Sequence, residues 1–266
     1  MNRRPGDTLG ANASFVSGPI KLMASQPIAL PAERQGRLFY TVTGLLIAGL
    51  VFAGYAQSYY LARWSQVPAR TPEITALIHV HAVSFTLWIL LGVVQPALVA
   101  SGGIEAHKRV GRVGAMLAGL VWVLGNWAAI EAMHVGYKGL GDPHAFYAIT
   151  FSSIQAFAII VALGIWKRHD GEAHKRLMLL SNAAILEAAV GRLPLEAVVA
   201  TAPWSFYLGA DLVILAGATY DKLTGGRVHA VWLWGGSLLI LSQLLRVAIM
   251  HTQAWLAFAH VMAGLV

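Results

Sequence analysis

The 266-residue sequence contains no cysteine. That one absence excludes disulfides, thiolate metal sites, iron–sulfur clusters and cysteine nucleophiles together. Charge is scarce as well: Asp and Glu number 12, Lys and Arg 19, and the charged fraction is 12%, against roughly 25% in soluble domains. Hydrolase signatures, phosphate loops and nucleic-acid modules are also missing. Histidine, with ten copies, is left as the residue type able to bind a metal.

Apolar residues are what the chain has in excess, at 57% of the sequence and a mean hydropathy of +0.63. These values imply an all-α fold, a polytopic transmembrane helix bundle. A span needs about 20 apolar residues, and seven segments supply them: 38–60, 74–100, 110–134, 145–167, 177–199, 203–220 and 229–250. Residues 1–37 mix Pro, Gly, Ser and charge and read as a flexible cytoplasmic tail rather than a cleaved signal peptide. Residues 38–250 form the bundle, and 251–266 an apolar extension at the outer interface. A single helix from 229 to 266 would overrun a bilayer, so this end is expected to bend or to pack across the bundle. Pro194 and the Gln95–Pro96 step mark kinks.

Net charge is +7 and the pI near 9.9, and where the charge sits decides its meaning. Of the 19 basic residues, 14 fall in the tail and in the loops on its side of the membrane; Arg63, Arg70 and Lys138 fall opposite, and Arg192 and Arg246 within helices. The positive-inside rule then sets the N-terminus inside and the C-terminus outside. The basicity calls for no nucleic acid. The partner it implies is the lipid bilayer, here a bacterial inner membrane.

The pentapeptide EAHKR occurs twice, at Glu105–Arg109 and Glu172–Arg176, each ahead of an apolar run on the inner face. His81-Ala82 precedes the first copy and His144-Ala145 the second, at separations of 26 and 30 residues between histidines. Helices two to five therefore read as a possible tandem hairpin repeat. Two neutral imidazoles from neighbouring helices can clamp a haem, and the layout offers an outer pair, His81 with His144, and an inner pair, His107 with His174. Should His144 still lie in its loop, His134 or His251 replaces it as the partner of His81. The competing explanations are ordinary: buried histidines satisfied by hydrogen bonds, and basic loops facing lipid headgroups.

Within LIHVHAVSFTLWILLGVVQP, His79 and His81 lie about 200° apart on a helix and cannot face one site. His81 shares a stripe with Ser84, Trp88 and Gln95, whereas His79 shares its face with Ala82, Val83, Thr86 and Val93. The polar stripe should face the bundle interior. Glu131 and His134, one turn apart, form a single Glu-x-x-His element, which with His81 is a candidate metal set; carboxylate di-metal sites need that element twice. Glu187, Arg192, Asp211 and Arg246 are further intramembrane ionisable residues, suited to a proton path or to ion pairs that fix the bundle.

The segments HVHAVSFTLWILLGVVQ, HKRVGR and HKRLMLLSNA resemble signature segments of uncharacterised bacterial multi-pass membrane proteins in which a histidine opens a helix after a short basic turn. More loosely, four histidines on four consecutive helices are similar to the ascorbate-reducible two-haem cytochrome b family. That resemblance implies haem b on each histidine pair and electron transfer, with a quinone or a respiratory-chain protein as partner. A non-catalytic assembly or scaffold role, and a transporter using Asp211, Glu187 and Asn182, are the alternatives from other classes.

Overall fold

The structure, a computed structural model, describes residues 32–64, 75–136 and 141–265, and these are helical with no strands among them. The expected tail up to residue 31 lies outside the described residues, as do Arg70 and Lys138. Its last residues do not belong to a tail, because helix α1 begins at Ala32 and runs as Ala32–Tyr55, extended by a π-turn at Ala56–Tyr60. The other long elements are α2 (Ala76–Ala100), α3 (Ile104–Val135), α4 (Pro143–Trp166), α5 (Gly171–Ala183), the short α6 (Glu187–Val190) and α7 (Glu196–Ala200), α8 (Leu208–Gly225), α9 (Ser237–Ile249) and α10 (Gln253–Ala263).

Among the described residues, five segments are long and apolar enough to cross a membrane: 38–60, 76–100, 104–135, 143–166 and 231–249. Large apolar side chains such as Leu46, Met116, Ile159 and Leu238 stand exposed along them, as lipid-facing surfaces require and an aqueous surface would not tolerate in such number. The expected fifth span, 177–199, is not one helix. It breaks after Ala183 into a turn, resumes for one turn as α6, and ends in Gly191-Arg192-Leu193-Pro194. Proline has no N–H to continue the ladder and pushes the residue before it out of helical geometry. The expected sixth span starts later, at Leu208, and α8 carries Asp211, Asp221 and Lys222. Pro96, by contrast, sits inside α2 without interrupting it.

Side-chain caps explain several helix starts. Thr75 accepts from Ile78 N at α2, Asp142 from His144 N at α4 with Pro143 as first helical residue, Asp170 from Ala173 N at α5 and Thr252 from Trp255 N at α10. Each satisfies a backbone donor that the first turn leaves open. The last cap accounts for the C-terminal end: α9 stops at Ile249, the chain turns through Met250–Thr252, and α10 packs against α3 and α4.

Consecutive helices are neighbours from α1 to α5; α5 also packs on α8, and α4 on α9. The main core gathers Ile47, Trp88, Val121, Phe157, Leu180 and Trp232 from these elements. Close backbone approach at glycine lets α1 in: a Cβ on Gly44 would lie 2.6 Å from Gly92 O of α2, and one on Gly54 2.1 Å from Ala189 O of α6. Small residues at crossings serve this purpose where helices pack in lipid.

Candidate functional site

The two EAHKR copies occupy the same position in their helices. His107 and His174 are each the fourth residue, their N–H groups bonded to the Gly103 and Asp170 carbonyls, and Lys108–Glu105 (2.9 Å) repeats as Lys175–Glu172 (2.6 Å). The short turns Ser101–Gly103 and Lys167–Asp170 therefore lie at one end of the bundle, and the two imidazoles meet there with ring centroids 6.2 Å apart and planes at 86°. His174 Nδ1 lies 2.8 Å from Gly164 O. The side-chain amide of Gln95 lies 2.7 Å from His107 Nδ1. Two imidazoles on one iron, with metal–nitrogen bonds of about 2 Å, have ligating nitrogens about 4 Å apart. Of the two expected pairs, this inner one is brought together, with ring centroids 6.2 Å apart.

The outer pair is not brought together. His81 lies near the start of α2 and faces inward, but His144 is the second residue of α4, bonded to the Asp142 cap, and its ring stacks on His260 of α10 at 4.1 Å. His134 also turns to α10, with Nε2 3.0 Å from Ala263 O, and His251 is exposed at the α9–α10 turn. No signal in the sequence placed His260 beside His144, because α10 folds back across α4. The metal set His81, Glu131 and His134 fails for the same reason: Glu131 faces the interior and takes a 3.5 Å contact from Thr75 Oγ1, while His134 points away. Among the described residues no group of three or more His, Asp or Glu side chains is placed to hold a metal ion.

What His81 does face is a cavity of about 230 Å³ at the end of the bundle opposite the EAHKR turns. The π-turn after α1, the first turns of α2, the last turns of α3, the middle of α4 and the α5–α6 break enclose it. Its wall is mostly apolar, with Ile78, Phe85, Ile89, Ala128 and Ile154 among the lining residues, and polar groups enter at defined points. The helical-phase argument separates the two histidines as expected: His79 is exposed and meets Tyr59 OH at 3.2 Å, while His81 lines the cavity. It fails for Thr86, assigned to the His79 face, which lines the cavity and pairs its hydroxyl with Tyr60 OH at 2.7 Å. Among the described residues His81 Nδ1 is buried without a hydrogen-bond partner, and the Leu124 backbone engages the ring. Arg192 lines the same cavity, held by its bond to Ala188 O (2.8 Å) and by the Tyr55 ring 4.9 Å from its guanidinium.

The cavity floor is an ion pair. Arg246 Nη1 donates to Glu187 Oε2 at 2.8 Å and to Ser153 Oγ at 2.5 Å, and Ser153 Oγ in turn donates to Glu187 Oε1. Arg246 is 2% exposed and Glu187 6%, so neither charge would be tolerated without the other. Breaking the fifth segment is what brings Glu187 to this point. Asp211, one α8 turn below the 3-10 turn Trp204–Tyr207, does not join the pair but accepts from Gln243 Nε2 at 3.1 Å. Composition-based reasoning also counted Arg176 among the surface charges. It is instead buried, donating from Nε and Nη2 to Asp221 at 2.8 and 2.5 Å and tying α5 to α8. Only its two-residue offset from His174 hinted at a different face. Comparison with family models, with curated proteins and with solved structures finds no match to this chain, so its own residues carry the functional argument.

Proposed function

We propose that this chain is a seven-span integral membrane protein, N-terminus inside, that binds a small, largely apolar molecule in the cavity beside His81. The five long apolar helices, the broken α5–α6 segment and α8 make up the spans. The loop charge count orients them in a bacterial inner membrane, with the cavity in the outer half. One observation carries the binding function: a buried ring nitrogen without a partner faces a mostly apolar cavity of about 230 Å³. Small-molecule sites combine apolar walls with a few convergent polar groups in this way. A ligand that binds only the folded protein stabilises it by RT ln(1 + L/Kd) at free ligand concentration L, so its melting temperature rises with ligand concentration. Purified protein is therefore expected to be stabilised by hydrophobic ring compounds, and Ala132→Phe, which fills the cavity from α3, is expected to abolish the shift while leaving the unliganded melting point within a few degrees. Equal shifts in both proteins would refute the proposal.

The 6.2 Å spacing of the inner histidines favours a second function, electron carriage by a haem b held between His107 and His174. When bound, the haem would supply one-electron redox chemistry; the chain's part is to present two imidazoles, with the Gly164 carbonyl fixing the orientation of His174. Absorbance of protein purified from haem-supplemented cells tests this function. It requires reduced b-type bands that disappear in His174→Ala, and their absence from the native protein removes it.

A further inference from the structure

We infer that the molecule bound beside His81 carries a neutral aromatic hydroxyl, as in a phenol or hydroquinone, which donates its proton to a hydrogen bond with Nδ1 of His81. This ligand class rests on the cavity binding proposed above. Nδ1 is the ring nitrogen buried without a partner among the described residues, so the proton is assigned to Nε2, where the nearby Leu124 backbone can receive it, and Nδ1 is left as an acceptor. A neutral imidazole that donates through one nitrogen presents a lone pair on the other. The matching ligand group is thus a donor, not an acceptor.

Charge selects among donors. The guanidinium of Arg192 is close enough to act on the imidazole electrostatically and lines the same cavity, so an ammonium group is disfavoured there. The carboxylate of Glu187 at the floor is already neutralised by Arg246, and the other lining carboxylate, Glu131, takes a hydrogen bond from Thr75 Oγ1 and is matched by the Arg192 guanidinium in the same lining, so the cavity carries no net charge for an ionic ligand to neutralise. A hydroxyl satisfies Nδ1 without bringing charge into an apolar wall. Aromatic side chains select the rest: Tyr55, Tyr59, Tyr60 and Phe85 line the cavity, and aromatic rings gain from stacked or edge-on contact with one another. Arg192 remains a donor, suited to an oxygen acceptor elsewhere on the same ring. A ring with two oxygens can therefore bond His81 through O–H and Arg192 through its other oxygen.

Two oxidation states of one molecule separate these roles. Decylhydroquinone has the hydroxyls, the corresponding decylquinone has only acceptors, and the hydroquinone dimethyl ether keeps the ring and tail without any donor. Binding would be measured by equilibrium dialysis under argon on the full chain in detergent. In the native protein the hydroquinone is expected to bind about tenfold tighter than the quinone or the ether, the scale of one net hydrogen bond. His81→Phe is expected to reduce that preference to within twofold and Arg192→Gln to weaken hydroquinone and quinone alike. If the native protein binds hydroquinone, quinone and ether equally, the hydroxyl assignment is wrong while cavity binding stands; that comparison needs no variant and holds even if His81→Phe fails to fold. If His81→Phe folds and keeps the full preference, the acceptor is not His81. If none of the three compounds binds, the assignment falls as well, and the melting-temperature comparison with Ala132→Phe then decides whether cavity binding falls with it.

Discussion

Arg246 and Glu187 show how strongly one side chain can depend on another in a chain with so little charge. Two buried charges on α9 and α6 pair with each other and with Ser153, and Ser242 accepts from Arg246 Nη2 at 3.1 Å. Removing one member leaves the other buried and unpaired, at a cost of about 3–5 kcal/mol, whereas replacing both with apolar residues of similar volume is often neutral. Arg246→Met is therefore expected to lower thermal stability severely, and the double variant Arg246→Met with Glu187→Leu to recover most of it, measured by thermal denaturation in detergent. A double variant no better than Arg246→Met would show that the pair is not the source of the loss. At this scale the sequence was partly legible. Helical phase alone put His79 outside and His81 inside, because two residues on a regular helix have a fixed angle between them. The partner of Glu187 was open between Arg192 and Arg246, which look alike until tertiary contacts distribute them.

Helix crossings carry the next level of organisation. Gly54 of α1 touches the α6 backbone, where a methyl group would meet Ala189 O, while Gly49 five residues earlier has nothing within 4 Å of its added Cβ. Gly54→Ala is expected to cost about 1–3 kcal/mol as an overpacked contact, and Gly49→Ala to be neutral or to stabilise by up to about 1 kcal/mol through helix propensity. Chemical denaturation of the two variants checks the contrast, and equal stability would contradict the crossing. The long apolar runs α1 to α4 could be read from composition to within a few residues. The fifth could not: residues 177–199 are apolar throughout except Ser181, Asn182, Glu187, Arg192 and Glu196, and the break after Ala183 answers a buried carboxylate that must reach α9, a long-range demand with no local signal. The turn at Met250–Thr252 had only the Thr252 cap to mark it. A bend at this end was expected from its length, but not that α10 would fold back on α4, and that hid the His144–His260 contact and made the outer histidine pair look available.

Across the whole molecule, basic residues and histidines divide between two ends. The EAHKR turns hold the inner imidazoles and most of the loop charge, and the opposite end holds the cavity and α10. On the proposed topology of seven spans with the N-terminus inside, a reporter active only outside the inner membrane, fused after Val266, is expected to be active. A cytoplasm-specific reporter active at that site would overturn the orientation. The EAHKR repetition was legible because both copies keep the same distance from their helix starts, and matching local spacing survives folding. The cavity was not legible, because it forms where five separated segments leave space, and no single segment records a void. Native mass spectrometry of protein released from membrane nanodiscs reads the cavity's occupancy. A noncovalent adduct of a small hydrophobic molecule is expected on the wild-type chain and not on folded Ala132→Phe; an adduct retained in full by that variant, or none on the wild type after reconstitution with decylhydroquinone, would mean that the cavity does not hold such a molecule.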